Sequence, residues 1–136
     1  MNEKNNIKDY QNAIIECDIF RSDVMVHFGN LDGIKEVLSS FMTKDEIKEI
    51  YDSLYETKRG KTIILYKGQV IVYMPNIPTT PFDFATLQHE LLHAVWLITD
   101  RVGITPSADS EEVYNYLLDF LTERVINAFS LTIRPT

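Results

Sequence analysis

The segment KTIILYKGQVIVYM, residues 61–74, constrains the fold most strongly because it joins two strand-like runs by a tight connection. Both runs are rich in Ile, Val and Tyr, which favour β-strands. Lys67-Gly68 offers a two-residue connection whose glycine can adopt positive φ. The segment PNIPTTP follows and must end the second strand, because proline cannot donate to a β-ladder. We therefore predict a β-hairpin over about residues 62–74.

A long helix is predicted to begin directly after this proline-rich break. Thr80 can act as the N-cap, Pro81 suits the first helical position, and Asp83 favours the positive end of the helix dipole. Gly103 marks the expected end of this helix. The sequence thus predicts a hairpin followed at once by a capped helix.

A second long helix is predicted from about residue 110 to residue 129, where Leu, Val, Phe and Tyr are frequent. Asp109 or Ser110 is its expected N-cap. Ahead of the hairpin, the runs AIIECDIF and DVMVHFG have the apolar residues of strands. Helical spacing follows them, and Thr43 with Glu46 forms the capping box of a further helix.

These elements predict one α+β domain over residues 1–136, with a small sheet whose hairpin packs against the two long helices. Hydrophobic side chains make up 45% of the chain, enough for one core, and the length leaves little room for a second domain. We expect an N-terminal α/β part over residues 1–60, to which the sequence assigns no role. Residues 61–130 then hold the hairpin and the two long helices.

Charge and hydropathy exclude several classes of partner. The net charge of −7 and the pI near 4.9 argue against binding to nucleic acid or to an anionic membrane. No apolar run approaches the roughly 20 residues of a membrane helix, and the N-terminus is polar without a signal-like hydrophobic region. The single Cys17 cannot form an internal disulfide, which fits a reducing compartment. We therefore expect a cytoplasmic protein.

The sequence HELLH, residues 89–93, places two of the chain's three histidines on the first long helix. At 3.6 residues per turn, His89 and His93 lie about 40° apart around the axis, so both imidazoles can reach one metal ion. Zinc is the expected cofactor because it favours neutral imidazole nitrogen. Glu90 is the expected base, which accepts a proton from a water molecule that zinc activates. The alternative is an amphipathic helix with two exposed histidines; the third, His27, is expected to pack within a strand.

The residues after HELLH narrow the class of zinc site. A metzincin would have glycine and histidine where this chain has Trp96 and Thr99, so that class is excluded. Asp100 lies two turns beyond His93 on the same helix and cannot easily fold back to the metal. The next helix is therefore the better source of a third ligand.

Glu112 follows His93 with eighteen residues between them, and this spacing resembles that of gluzincins, in which a second helix carries a glutamate ligand. The stretches HELLHAVWLITDRVGI and DSEEVYNYLLDFL are also similar to short zincin-like proteins encoded by tailed bacteriophages. In those proteins a glutamate precedes a Tyr-Leu pair by four residues, as Glu112 precedes Tyr116-Leu117 here. The resemblance covers about residues 62–125 and implies a zincin-like fold with Glu112 as the third zinc ligand.

Several residues near Glu112 have alternative roles. Glu111 and Asp109 compete for the place of third ligand, and Glu112 could instead close a capping box with Asp109 as N-cap. Tyr116 and Asp119 share the helix face of Glu112 and could hydrogen-bond a ligand or the reacting oxygen. Tyr116 is the candidate donor to an oxyanion.

Two main functions follow from these residues. The first is a zinc metallopeptidase with a peptide or protein substrate, which in zincins can add to the edge of the strand before the active helix. Gln69–Met74 is the candidate strand here, and the sequence leaves open whether its edge is free or covered by a partner strand or subunit. The second is a phage structural or assembly protein, at the head-tail connector or in the tail, on a zincin scaffold with a structural metal. Its partners would be other virion proteins or copies of itself in a ring. A regulatory binding module is the third possible function.

Overall fold

The computed structural model describes residues 9–134. The polar residues 1–8, where we expected no export signal, lie outside the described residues. In chain order the elements are β1 Tyr10–Cys17, β2 Ser22–Gly29, α1 Asp32–Leu38, α2 Lys44–Leu54, β3 Lys61–Ile64, β4 Val70–Met74, α3 Pro81–Arg101 and α4 Glu111–Phe129. A short 3-10 turn, Asp18–Phe20, links β1 to β2. None of the helices in this range has the length and apolarity that crossing a bilayer requires.

The four strands form one mixed sheet in the order β1-β2-β4-β3. The central strands β2 and β4 are parallel, whereas β1 pairs antiparallel with β2 and β3 pairs antiparallel with β4. The connection from β2 to β4 passes through α1, α2 and β3. The predicted α+β class with a small sheet is therefore confirmed, and the N-terminal part of the chain supplies two of the four strands.

Helices cover both faces of the sheet. The core on the side of α3 and α4 includes the strand residues Ile15, Val24, Val26, Phe28, Val70, Val72 and Met74. The core on the side of α1 and α2 includes Met25, Ile71 and Tyr73 with Ile34, Leu38, Ile47, Ile50 and Leu54. All five residues of β4 are buried because this central strand is covered on both faces. Burial on both faces explains why the sequence of β4, VIVYM, is apolar at every position.

The predicted hairpin is confirmed, but its connection is longer than expected. Leu65 N donates to Gln69 O at 2.7 Å, so pairing continues past the strand ends and the loop comprises residues 66–68. Gly68 N donates to Leu65 O at 2.9 Å, and Gly68 has φ +95°. The prediction of a two-residue connection was therefore wrong, whereas the predicted positive φ of Gly68 is confirmed. The guanidinium end of Arg101 lies where a Cβ of Gly68 would be, so a larger residue at this position would displace this side chain.

The predicted starts of α2, α3 and α4 are confirmed, and of the two N-caps offered for α4 the structure has Ser110. The predicted capping box of Thr43 with Glu46 is present at α2. The predicted N-cap Thr80 is confirmed at α3, where Asp83 also completes a capping box that the sequence analysis did not predict. The N-cap of α4 is Ser110, and its side chain makes no capping hydrogen bond. Its hydroxyl instead donates to Thr105 O at 2.6 Å. The predicted alternative of an N-cap at Asp109 was wrong, so Glu112 lies in the first turn of α4 without closing a capping box.

Candidate functional site

The two histidines of HELLH lie one turn apart on α3, and both are exposed. Their Nε2 atoms are 3.2 Å apart, and the rings meet edge to face with centroids 4.8 Å apart. Two imidazole nitrogens bound to one tetrahedral zinc lie about 3.3 Å apart, given Zn–N bonds of about 2.0–2.1 Å. The imidazoles of His89 and His93 therefore fit two positions around one zinc ion. Without a metal, the same spacing allows one Nε2–H to donate to the other Nε2.

Glu90 lies on a different flank of α3, between this helix and β3. Only 6% of the residue is exposed. The hydroxyl of Thr62, on β3, lies 2.8 Å from Glu90 Oε1 and 3.0 Å from the main-chain oxygen of Glu90. On the same side, a Cβ built on Gly60 would lie 2.9 Å from Glu90 Cγ and 3.3 Å from Oε2. The carboxylate is thus enclosed by the strand edge, next to the turn of helix that carries the histidines.

The candidate third ligands lie at the start of α4. Glu111, Glu112 and Asp109 are exposed. Asn115 Nδ2 donates to Glu112 Oε1 at 3.3 Å. Within residues 9–134, no three His, Cys, Asp or Glu side chains form a group able to hold a metal ion, so the structure does not bring these carboxylates together with the histidines. The choice of Glu112 as third ligand stays a prediction.

Tyr116 and Asp119 line different surfaces of α4. Tyr116 is 67% exposed and lines a groove of about 580 Å³ with the end of β1 and the 3-10 turn. Asp119 lines a smaller depression next to Gln88 of α3. Helix α3 meets α4 through Gln88 and Thr122, whose side chains are hydrogen-bonded at 2.9 Å. Tyr116 therefore faces the β1 side of α4, and its role as an oxyanion donor stays a prediction.

The strand edge nearest to Glu90 differs from the one expected. Because β4 pairs with β2 on one side and with β3 on the other, partner strands occupy both edges of Gln69–Met74, and this candidate strand cannot receive a substrate. The terminal strand beside Glu90 is β3.

Sequence reasoning missed Thr62 and Gly60, the two residues that contact Glu90 from β3 and from the residue before it. The register of the hairpin, which pairs Thr62 with the α3-facing Val72, was the only available signal for Thr62.

His27 occupies a contrasting environment at the centre of the sheet. It is fully buried on β2, as expected for a packed strand histidine. Its Nδ1 accepts from Asn12 Nδ2 at 2.9 Å, and its Nε2 donates to Asn30 O at 2.8 Å. The ring stacks on Tyr10 with centroids 5.0 Å apart. Burial lowers the pKa of His27, and the hydrogen bond to Asn30 only partly offsets this.

Comparison of the chain with protein-family models, with curated protein sequences and with solved structures finds no match.

Proposed function

We propose that this chain is a zinc-dependent hydrolase of the zincin type that acts on peptide bonds. His89 and His93 are the proposed zinc ligands, and Glu90 is the proposed general base. The observation that carries the proposal is the 3.2 Å separation of the two Nε2 atoms on one exposed helix face, which matches two positions of a tetrahedral zinc. Glu112 is the proposed third ligand, on the strength of the sequence spacing alone.

The chemistry divides between the metal and the side chains. Zinc bound at such a site would polarise a carbonyl and acidify a water molecule. Glu90 accepts the water proton at a carboxylate oxygen and can return it to the leaving amine. Its burial beside the strand holds the carboxylate in one orientation, which limits the reorganisation that proton transfer requires.

The surface next to the histidines supports a peptide as the substrate. Within the described residues, β3 pairs on one side only, so an extended peptide can add to its other edge, next to Glu90. Leu92 and Trp96 are 45% and 52% exposed on the same helix as the histidines. They offer contacts for apolar side chains of a bound peptide. We therefore propose that the substrate is an extended segment with apolar residues near the cleaved bond.

The test combines metal analysis with cleavage of a mixed peptide library. We expect about one zinc per chain by mass spectrometry and cleavage by the wild type. Glu90→Gln should retain zinc and lose activity by at least about 100-fold, as expected for the removal of a general base. Glu49→Gln is the matched control, because Glu49 is an exposed glutamate on α2, which packs on the opposite face of the sheet. Zinc-loaded wild type that cuts no peptide would contradict the proposal.

A second candidate function is an assembly protein of a tailed bacteriophage, in which the metal joins protein surfaces. The specific observation in its favour is that His89, His93, Leu92 and Trp96 are all exposed on α3, so that metal ligands and apolar side chains share one accessible helix. Exposed apolar patches mark contact sites. Sedimentation with and without zinc tests it. Zinc-dependent rings, with fewer than one zinc per chain, would support this function, and a zinc-loaded monomer would contradict it.

A further inference from the structure

Glu90 is the only carboxylate side chain among the described residues that is buried. Burying a charged group is costly unless hydrogen bonds compensate. An ordinary surface glutamate of an amphipathic helix would point into solvent, as Glu111 and Glu112 do on α4. The position of Glu90 therefore requires a specific site in the fold that receives the carboxylate.

Two residues of the strand edge form that site. The hydroxyl of Thr62 has a single proton, and its shorter contact is the one of 2.8 Å to Glu90 Oε1. A hydrogen bond to a charged acceptor is stronger than one to a neutral carbonyl, which favours the carboxylate over the main-chain oxygen. Gly60 provides the space, since any Cβ there would lie within 2.9 Å of Glu90 Cγ.

We propose that Thr62 and Gly60 are positioning residues for Glu90 and that they decide which carboxylate oxygen accepts the proton. This inference rests on the function proposed above. Thr62 holds Oε1, so Oε2 is the oxygen left to act as base. Because Thr62 belongs to the terminal strand β3, the same strand that can pair with a peptide also holds the base that cleaves it. The proposed peptide-binding edge and the hydroxyl that orients Glu90 therefore lie on the same strand.

The test replaces the hydroxyl without changing the shape of the side chain. Thr62→Val should lower kcat by about ten- to hundred-fold, the range seen when an outer hydrogen bond at a metal site is lost. KM should change little, because the substitution removes a hydroxyl that contacts Glu90 and leaves the main chain of β3, where the peptide is proposed to pair, unaltered. Thr62→Ser, which restores the hydroxyl, should return most of the activity. Gly60→Ala should reproduce the loss by displacing Glu90.

Thr122→Val is the matched control. It also removes a threonine hydroxyl that bonds a side chain of α3, but this one contacts Gln88 at 2.9 Å. We expect Thr122→Val to keep the kcat of the wild type. Equal loss in Thr122→Val and Thr62→Val, or no rescue by Thr62→Ser, would overturn the positioning role.

A crystal structure of Thr62→Val separates failure of this inference from failure of the proposed function. We expect the Glu90 carboxylate to leave its site beside β3 in this variant and to return in Thr62→Ser. If the wild type binds zinc but cuts no peptide, the proposed function fails, and the position of Glu90 in the two variants still decides the inference. A carboxylate that keeps its place in Thr62→Val would overturn it.

Discussion

Two regions of the molecule use histidine in opposite ways. His27 lies at the centre of the sheet, where Asn12 and Asn30 engage both ring nitrogens and no solvent reaches the ring. His89 and His93 lie on an exposed helix, and the nitrogen of each ring faces the nitrogen of the other. The difference shows that burial and hydrogen-bond partners, rather than residue type, decide which histidine is committed to the core of the fold.

The largest effect on stability should come from the buried histidine. His27→Ala removes a packed ring and leaves the side chain of Asn12 without its partner. We expect the free energy of unfolding to fall by about 3 kcal/mol. Urea denaturation measures the loss. A change below about 1 kcal/mol would show that His27 is not a structural residue, and the contrast with the helix pair would disappear.

The second-largest effect on stability is expected only when zinc is present. His89→Ala should change the stability of the metal-free chain by less than about 0.5 kcal/mol, because the side chain is exposed. Zinc at 100 times its dissociation constant should stabilise the wild type by about 2.7 kcal/mol, and this gain should be absent in His89→Ala. Thermal unfolding with and without zinc tests both statements. Zinc-dependent stabilisation that survives in His89→Ala would exclude the histidine pair as the metal site.

Acid should destabilise the fold through His27. Its pKa is lowered below 6.5 by burial, so the folded chain holds a neutral ring while the unfolded chain takes up a proton below pH 6.5. The unfolded state then binds more protons, and stability is lost as the pH falls from 6.5 toward the folded pKa. The slope from this group reaches at most about 1.4 kcal/mol per pH unit.

The measurement is urea denaturation at several pH values on either side of 6.5, with His27→Gln as the comparison. The carboxylates are the same in the wild type and in His27→Gln, so the difference between their two curves of stability against pH isolates the contribution of His27. We expect the wild type to lose more stability than His27→Gln as the pH falls. Parallel curves would contradict a lowered pKa of this ring.

The smallest effect on the fold, and a direct test of the third ligand, is expected at the start of α4. Glu112→Gln and Glu111→Gln both change exposed side chains and should alter stability by less than about 0.5 kcal/mol. The gluzincin-like spacing predicts that Glu112→Gln lowers zinc affinity by at least about ten-fold, or 1.4 kcal/mol, and that Glu111→Gln does not. Isothermal titration with zinc measures both. Unchanged affinity in Glu112→Gln would remove Glu112 from the site.

Local signals carried most of the prediction of the fold. The capping box at Thr43 and the N-cap at Thr80 were predictable because the residues that satisfy each other are three positions apart in sequence. The N-cap of α4 was less certain, since the hydroxyl of Ser110 bonds Thr105 O in the preceding loop. A helix start that depends on a loop conformation cannot be read from the residues of the helix alone.

As with the fold, only the part of the candidate site formed by near neighbours in the sequence was predictable. The four-residue spacing of His89 and His93 fixes their mutual approach through the geometry of one helix. Which strand lies beside the histidine helix depended on the order of the sheet. The sequence left open whether the edge of β4 is free, and the parallel pairing of β2 with β4 closes it.

The sequence by itself determined the hairpin, the two long helices and the meeting of the two imidazoles, because contacts between near neighbours in the chain dictate each of them. Only the tertiary structure decided that Glu90 is buried against Thr62 and that β3 is the terminal strand next to it. These features join residues 28 positions apart. They depend on how whole elements pack, and no local pattern specifies that packing.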